Sequence, residues 1–210
     1  MTETKRSYGQ YCGLARALDV VGNRWSLLIV RELLLRPARY GELRAGLPGI
    51  ATNLLAARLR ELEQGGVVQR SLDSDSNSVV YSLTPRGREL RAVLAALVQW
   101  GGPLMISGPQ DDVFQPQWLA VARDLILHDQ QAEKPVTVGL AVDDAIVTVR
   151  SDADGTQIEL DADERPDTVF SAEPQVVLGL ASGLLPIDQA LAAGELDGDE
   201  KVLSLAFTFN

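Results

Sequence analysis

The chain has 210 residues, of which 46% are hydrophobic and 5% aromatic, and its formal net charge is −10. That length accommodates two small domains, each able to bury a core. No run approaches the roughly 18 apolar residues of a membrane helix. The opening Met1-Thr2-Glu3-Thr4-Lys5-Arg6 lacks the apolar stretch of a secretory signal, so a cytoplasmic location is expected, and a single cysteine, unable to form an internal disulfide, agrees with it. The charge is unevenly spread. Residues 1–100 carry 14 Lys+Arg against 9 Asp+Glu, a net of +5, whereas residues 101–210 carry 5 against 20, a net of −15. Such asymmetry points to a half that faces nucleic acid and a half with another task. Phosphate would repel the acidic half.

In chain order, residues 11–22 hold Leu14, Ala17, Leu18 and Val21 at helical spacing, ending near Gly22. Arg24 to Leu35 reads as a second helix with Trp25, Leu28, Ile29 and Leu33 on one face, stopped by Pro37. Tyr40 to Ala45 is a short third helix, followed by a tight turn through Pro48-Gly49. Ala51 to Gln64 is the fourth, with Leu55, Leu59 and Leu62 inward and Gly65-Gly66 at its C-terminus. Val67–Arg70 and Val79–Leu83 are β-rich runs separated by the turn-forming cluster Ser71–Ser78. Thr84 as N-cap and Pro85 at the first helical position open a fifth helix running to about Trp100.

Gly101-Gly102-Pro103, with Gly108-Pro109 beyond, reads as a linker. A helix around Gln117 to Leu127 follows it. Val136–Val142 and Ala145–Arg150 then form a hairpin turning at Asp143-Asp144, with short strands at Gln157–Leu160 and Thr168–Phe170 and helices at Pro174–Leu180 and Pro186–Ala193. Glu195 to Asn210 is ambiguous between helix and strand. The expected class is α+β, with a DNA-facing domain over residues 8–101, a linker over 102–114 and a small α+β domain over 115–210.

Helix, turn, second helix and β-hairpin in that order make a winged helix-turn-helix, which puts one helix into the major groove of DNA. With its leucines inward, the fourth helix leaves Thr52, Asn53 and Arg58 to face outward. Thr52 and Asn53 suit bases or phosphates, and Arg58 suits a guanine edge or a phosphate. Arg39, Tyr40 and Arg44 flank the turn, where the arginines could hold backbone phosphates. The same residues could equally be a solvated face of an ordinary helical domain.

Residues 12–101 resemble the HxlR family of bacterial winged-helix transcription regulators. The resemblance spans Cys12, Gly22-Asn23-Arg24-Trp25, Arg39-Tyr40-Gly41-Glu42-Leu43 and Leu47-Pro48-Gly49-Ile50. It continues through Leu55-x-x-x-Leu59-Arg60-Glu61-Leu62-Glu63, Gly65-Gly66-Val67-Val68-x-Arg70, Tyr81-Ser82-Leu83-Thr84-Pro85-x-Gly87 and Trp100-Gly101. It implies a homodimer whose terminal helices pair and whose recognition helices read a pseudo-palindrome in double-stranded DNA, with half-site centres roughly 34–36 Å apart. Repression is the expected sign. One departure stands out: Asp73 and Asp75 sit in the wing, where the family usually carries a proline and a basic residue. Acidic wing residues predict a weak wing contact, leaving Arg70 at the wing base and the helix to carry recognition. The resemblance also implies an oxidant- or electrophile-sensing role for Cys12, beside Arg16 and a helix N-terminus that would lower its pKa. The alternative is a small buried residue packed near the dimer helices.

In the acidic half, Asp143, Asp144, Asp152, Asp154, Asp161, Asp163 and Glu164 cluster at turns too sparsely for a calcium loop. No metal site, cofactor or nucleophile–base pair is visible, and His128 reads as a surface residue, so no enzyme activity is expected. Asp167-x-Val169-Phe170-Ser171, Leu178-Gly179-Leu180 and Pro186-x-x-Gln189-Ala190-Leu191-Ala192-Ala193-Gly194-Glu195-Leu196-x-Gly198-Asp199 are similar to sterol carrier protein-like domains. Those are α+β folds with an apolar tunnel, which here would end early because the chain stops at Asn210. Leu178, Leu180, Leu184, Leu185, Ile187 and Leu191 are the candidate lining of a site for a small hydrophobic ligand, or simply core. The sequence thus predicts a DNA-binding regulator with an effector or dimerisation domain. The alternatives are a sensor acting through Cys12 and a carrier of hydrophobic ligands without DNA regulation.

Overall fold

A computed structural model describes residues 7–73, 78–105, 107–115, 117–119, 121, 134–153, 155–160, 162 and 164–207. The chain divides into two compact units, Met1–Leu94 and Ala95–Asn210. No helix among the described residues is long and apolar enough to cross a membrane.

The first unit begins with α1 (Gly13–Val21) and α2 (Ser26–Leu35). Strand β1 (Ala38–Arg39) leads directly into α3 (Tyr40–Ala45), and the turn after it delivers the chain to α4 (Thr52–Gln64). Gly49 takes φ +84 in that turn, a left-handed conformation that glycine alone adopts without strain, and the Trp25 ring lies alongside it. Strands β2 (Val68–Leu72) and β3 (Val79–Leu83) form the wing hairpin, and β1 adds a third strand in the order β1-β3-β2, with Ala38 opposite Tyr81. The core is built from Ile29, Val30 and Leu33 of α2, Leu43 and Leu47 at the turn, and Leu55, Leu59 and Leu62 of α4. The leucines of α4 recur at i, i+4 and i+7, so a single stripe is buried and the rest of the helix is free for other work.

Three expectations are corrected here. On α2 the buried face is Ser26, Ile29, Val30 and Leu33; Trp25 precedes the helix in a left-handed conformation and Leu28 is exposed. On α1 the core takes Ala15 and Val21, while Leu14 and Leu18 turn outward. The expected fifth helix is broken at Glu89 into α5 (Pro85–Arg88) and α6 (Leu90–Gly101). Thr84 caps α5 as expected, its hydroxyl accepting from the Gly87 N–H at 3.0 Å. It also donates to the Gly66 carbonyl at 2.6 Å, which ties the end of α4 to the start of α5.

The second unit continues α6 through a 3-10 turn (Gly102–Met105) where a linker was expected, with Leu184 packed against Gly102. The expected helix at 117–127 is helical at 117–119 and 121; its remaining positions, His128, and the turn residues Asp75, Asp154, Asp161 and Asp163 lie outside the described residues. Strands β4 (Val136–Val142), β5 (Ala145–Asp152), β6 (Gly155–Leu160), β7 (Val169–Ala172) and β8 (Gly194–Asp197) make one sheet in the order β6-β5-β4-β7-β8. Among the described residues only β4 and β7 pair in parallel. Between β7 and β8 come α7 (Pro174–Ala181) and α8 (Ile187–Ala192), and α9 (Glu200–Phe207) follows β8. The ambiguous end of the sequence is therefore a strand and then a helix. Helices α7 and α9 cover β4, and Val138, Leu140, Phe170, Val177, Leu180, Leu203 and Phe207 form the core. The α+β content expected of both halves is present.

The α4 stripe is the test of the first unit's stability. Leu59→Ala, at a side chain 1% exposed, is expected to cost about 2–5 kcal/mol, read as a lowered midpoint of the first unit in denaturant unfolding followed by near-ultraviolet dichroism.

Candidate nucleic-acid interface

The turn and both helices that flank it are locked by polar contacts at the surface. The Tyr40 hydroxyl donates to the Thr52 carbonyl oxygen at 2.6 Å, joining the first residue of α3 to the first residue of α4. Glu42 accepts from the Arg39 backbone N–H at 2.6 Å and from the Arg36 guanidinium at 3.0 Å, so one carboxylate closes the N-terminus of α3. These contacts, the Arg39 N–H first and Arg36 second, hold the Glu42 carboxyl below its ordinary range. Asn23, in the loop between α1 and α2, donates to Glu61 of α4 at 3.0 Å. Glu61 also holds Arg58 one turn earlier on its own helix.

That last pair overturns the expectation for Arg58. Its side chain is 19% exposed and its Nε is buried, so Arg58 braces α4 from the flank of the leucine stripe rather than facing outward. Thr52 and Asn53 are exposed as expected. The residue that shares their outward side is Arg60, exposed and without an ion-pair partner among the described residues. Spacing carried that signal: at 100° per residue Arg60 lies almost opposite Leu55 and Leu62, alongside Asn53 and Gln64.

The other basic candidates divide. Arg44, at the end of α3, is exposed and unpaired among the described residues. Arg70 is 68% exposed and meets Glu63 at 3.4 Å. Arg39 meets Asp73 of the wing at 3.4 Å. Asp73 thus spends part of its charge on Arg39, and subtracts from the positive field at the turn. Exposed pairs of this kind are worth under about 1 kcal/mol, so they yield readily to a competing phosphate.

The pattern of elements has a counterpart in known proteins. The model of HxlR-like helix-turn-helix proteins matches residues 20–107. The uncharacterized HTH-type transcriptional regulator sll1512 of Synechocystis is 40% identical over 94 residues, covering 44% of this chain and 70% of that protein. The chain belongs to the HxlR-like helix-turn-helix family. As a member of that family it is a transcriptional regulator of helix-turn-helix type. Two further relatives are YodB, an HTH-type transcriptional regulator of Bacillus subtilis, and Mb3122, an uncharacterized one of Mycobacterium bovis. YodB is 38% identical over 85 residues, 40% of this chain and 76% of its own length. Mb3122 is 43% identical over 89 residues, 42% of this chain and 56% of its own length. The HxlR match stops at residue 107, and the five-stranded sheet lies beyond it.

The remaining candidates fall as follows. Cys12 is exposed at the N-cap of α1, not buried, and the N–H groups of Ala15 and then Leu14 hold its thiol below the ordinary range. Arg16 is not the cause; it meets Asp19 at 3.5 Å and donates to the Ser7 hydroxyl at 3.4 Å. In the second unit, Leu180 is fully buried with Val177 and Ala181 and serves as core. Leu178, Leu185, Ile187 and Leu191 are half-buried, and Leu184 is exposed. Among the described residues no group of three or more His, Cys, Asp or Glu side chains could hold a metal ion.

Glu42 gives the interface a pH signature. A carboxyl depressed in the folded state adds stability that is complete above its unfolded value, near 4.5, and is lost as the pH falls through the lower folded value. Glu42→Gln should therefore be less stable than the parent at neutral pH. The gap should close as the pH falls below 4.5, as measured by urea unfolding across a pH series.

Proposed function

We propose that this HxlR-type regulator is a sequence-specific repressor that binds a pseudo-palindromic site in double-stranded DNA as a homodimer. The observation that carries the reading is the outward row of α4: Thr52, Asn53 and Arg60 are exposed on a helix whose opposite side is buried and whose first residue is pinned by Tyr40. A rigid helix with a polar outer row is what major-groove reading requires. Asn53 suits adenine and Arg60 suits guanine. Arg44 and Arg39 hold phosphates, Arg39 after leaving Asp73. Dimerisation is supported by exposed apolar side chains, Tyr11 just before α1, Leu14 and Leu18 on α1, and Leu97 and Trp100 on α6, which a second copy would remove from water. The five-stranded unit is read as a sterol carrier protein-like domain that binds an apolar effector or assists assembly. No catalytic step is assigned to it.

Footprinting of the full chain on the DNA flanking its own gene, at two salt concentrations, tests the core of this reading. A protected, two-fold symmetric site is expected, and protection that is uniform along the DNA would overturn it. On that site Arg60→Ala should cost about 1–3 kcal/mol and relax preference at one base pair in each half. Arg44→Ala should weaken all sequences alike and lower the salt slope by about 1. Arg58→Ala should instead lower stability, with no base singled out.

A second reading, regulation through Cys12, rests on the exposed thiol at the α1 N-cap and its lowered pKa. Thiolate is the reactive form, so an oxidant would act here first. With no second cysteine in the chain, a disulfide would join two subunits. Diamide should change operator affinity in the parent and leave Cys12→Ser unaffected; equal responses would remove the thiol from the mechanism.

A further inference from the structure

A groove of about 330 Å³ opens in the first unit, between α1 and the α5–α6 corner. Its walls are apolar: Ala17, Val20 and Val21 of α1 face Leu90 and Val93 of α6, with Val67 between them. The charged residues that line it are Arg16, Arg86 and Glu89. Arg16 is already engaged by Asp19 at 3.5 Å. Arg86 is exposed and has no ion-pair partner among the described residues. Two guanidiniums against one carboxylate favour an anion, and Glu89 beside them disfavours one carrying several charges.

We propose that this groove is an effector site for a small amphipathic carboxylate, its apolar body between α1 and α6 and its single negative charge on Arg86. The volume sits at the lower end for small-molecule sites, which limits the body to one or two rings or a short chain. This site is separate from any in the five-stranded unit, and binding to it does not depend on the DNA reading.

The groove is wired to the DNA-facing helix. A Cβ at Gly65, the C-cap of α4, would stand 2.6 Å from Val20 Cγ1, so α1 approaches the end of α4 as closely as a glycine allows. Val67 is two residues beyond that glycine, and its carbonyl accepts the Thr84 N–H at 3.0 Å. A ligand that parts Val20 from Leu90 therefore presses on both the end of α4 and the root of the wing. Any such effect on DNA must be matched by an equal effect of DNA on ligand affinity.

The groove face of α1 is also distinct from its exposed apolar face. Positions 13, 17 and 20 lie toward one side of the helix, and positions 14 and 18 are centred about 110° away by helical spacing. A second copy resting on Leu14 and Leu18 would leave the groove's α1 wall uncovered.

The test titrates the full chain, without DNA, with 2-naphthoate and with its uncharged analogue 2-naphthamide, by calorimetry. Naphthoate is expected to bind one site per chain. Ala17→Leu, which fills the groove, should remove that site. Arg86→Gln should weaken naphthoate about tenfold, the scale of a hydrogen bond to a charged group, while Glu89→Gln strengthens it. Naphthamide should respond to neither charge change. Retained naphthoate binding in Ala17→Leu with parental circular dichroism and melting would overturn the proposal. So would naphthoate affinity indifferent to Arg86→Gln, a surface change that leaves the core intact. An absence of naphthoate binding in the parent, combined with loss of dimer in Ala17→Leu, would assign the groove to a second copy of the chain instead. Failure of the footprint with success of the titration would leave the groove standing and remove only the DNA reading.

Discussion

Burial of Leu55, Leu59 and Leu62 fixes the rotation of α4, and everything proposed for its outer side follows from that rotation. A helix has one degree of freedom that matters for reading DNA, the angle about its own axis. Three fully buried leucines on one stripe set it, because turning the helix by one residue would expose at least one of them, at a cost on the order of 1.5–3 kcal/mol for a fully buried leucine. The polar contacts then set its position along the axis. Tyr40 holds the first residue of α4, Glu61 holds the α1–α2 loop through Asn23, and Thr84 holds the residues just past the C-cap. None of these hydrogen bonds is worth more than about 1–3 kcal/mol. Together they define one placement, which is what a sequence reader needs more than it needs stability.

Electrostatics decide how an acidic chain can approach DNA at all. The net of −10 belongs to the whole chain, while residues 1–100 carry +5. At physiological salt, interactions between exposed charges fade beyond a Debye length of about 8 Å, so a phosphate at α4 is governed by the charges close to it. Those are Arg39, Arg44 and Arg60, offset by Asp73 and Glu42. The wing aspartate therefore acts at close range, by holding Arg39 at 3.4 Å in the absence of DNA. Phosphate can displace an exposed partner cheaply, so on the proposed reading Asp73 would tune affinity and salt dependence without abolishing contact.

Much of this fold was legible in the sequence where one force dominates. The leucine spacing of α4, the Thr84-Pro85 start of α5 and the Asp143-Asp144 hairpin all state a local rule, and the structure obeys it. Legibility failed where neighbours compete. Arg58 lies about 60° from Leu55 on the helical wheel, near enough to the buried stripe to be taken in, and Glu61 supplies the partner that makes its burial affordable. Nothing in the α4 spacing alone distinguishes that outcome from an exposed arginine, because Glu61 itself depends on Asn23 in another loop. On α1 the pattern Leu14, Ala17, Leu18, Val21 was apolar on more sides than one, and periodicity cannot say which apolar side meets the core. The break at Glu89 and the strand-then-helix end at Gly194–Phe207 likewise follow from packing between elements distant in sequence.

The competition on α1 has a consequence for regulation. This nine-residue helix contributes Ala15 and Val21 to the core, exposes Leu14 and Leu18, lines the groove with Ala17 and Val20, and carries Cys12 at its N-cap. Two of its side chains are buried, against at least three on each of α2 and α4. Because α1 meets the C-cap of α4 through Val20, a displacement of α1 would press on the reading helix. Oxidation at its N-terminus, a ligand along its groove side and a second subunit on its apolar side would all act on the same element. Each would bias α4 only by the difference in its free energy of interaction with the two positions of α1. Any coupling among the proposed dimer, thiol and groove would therefore run through this one helix, outside the leucine core that sets the angle of α4.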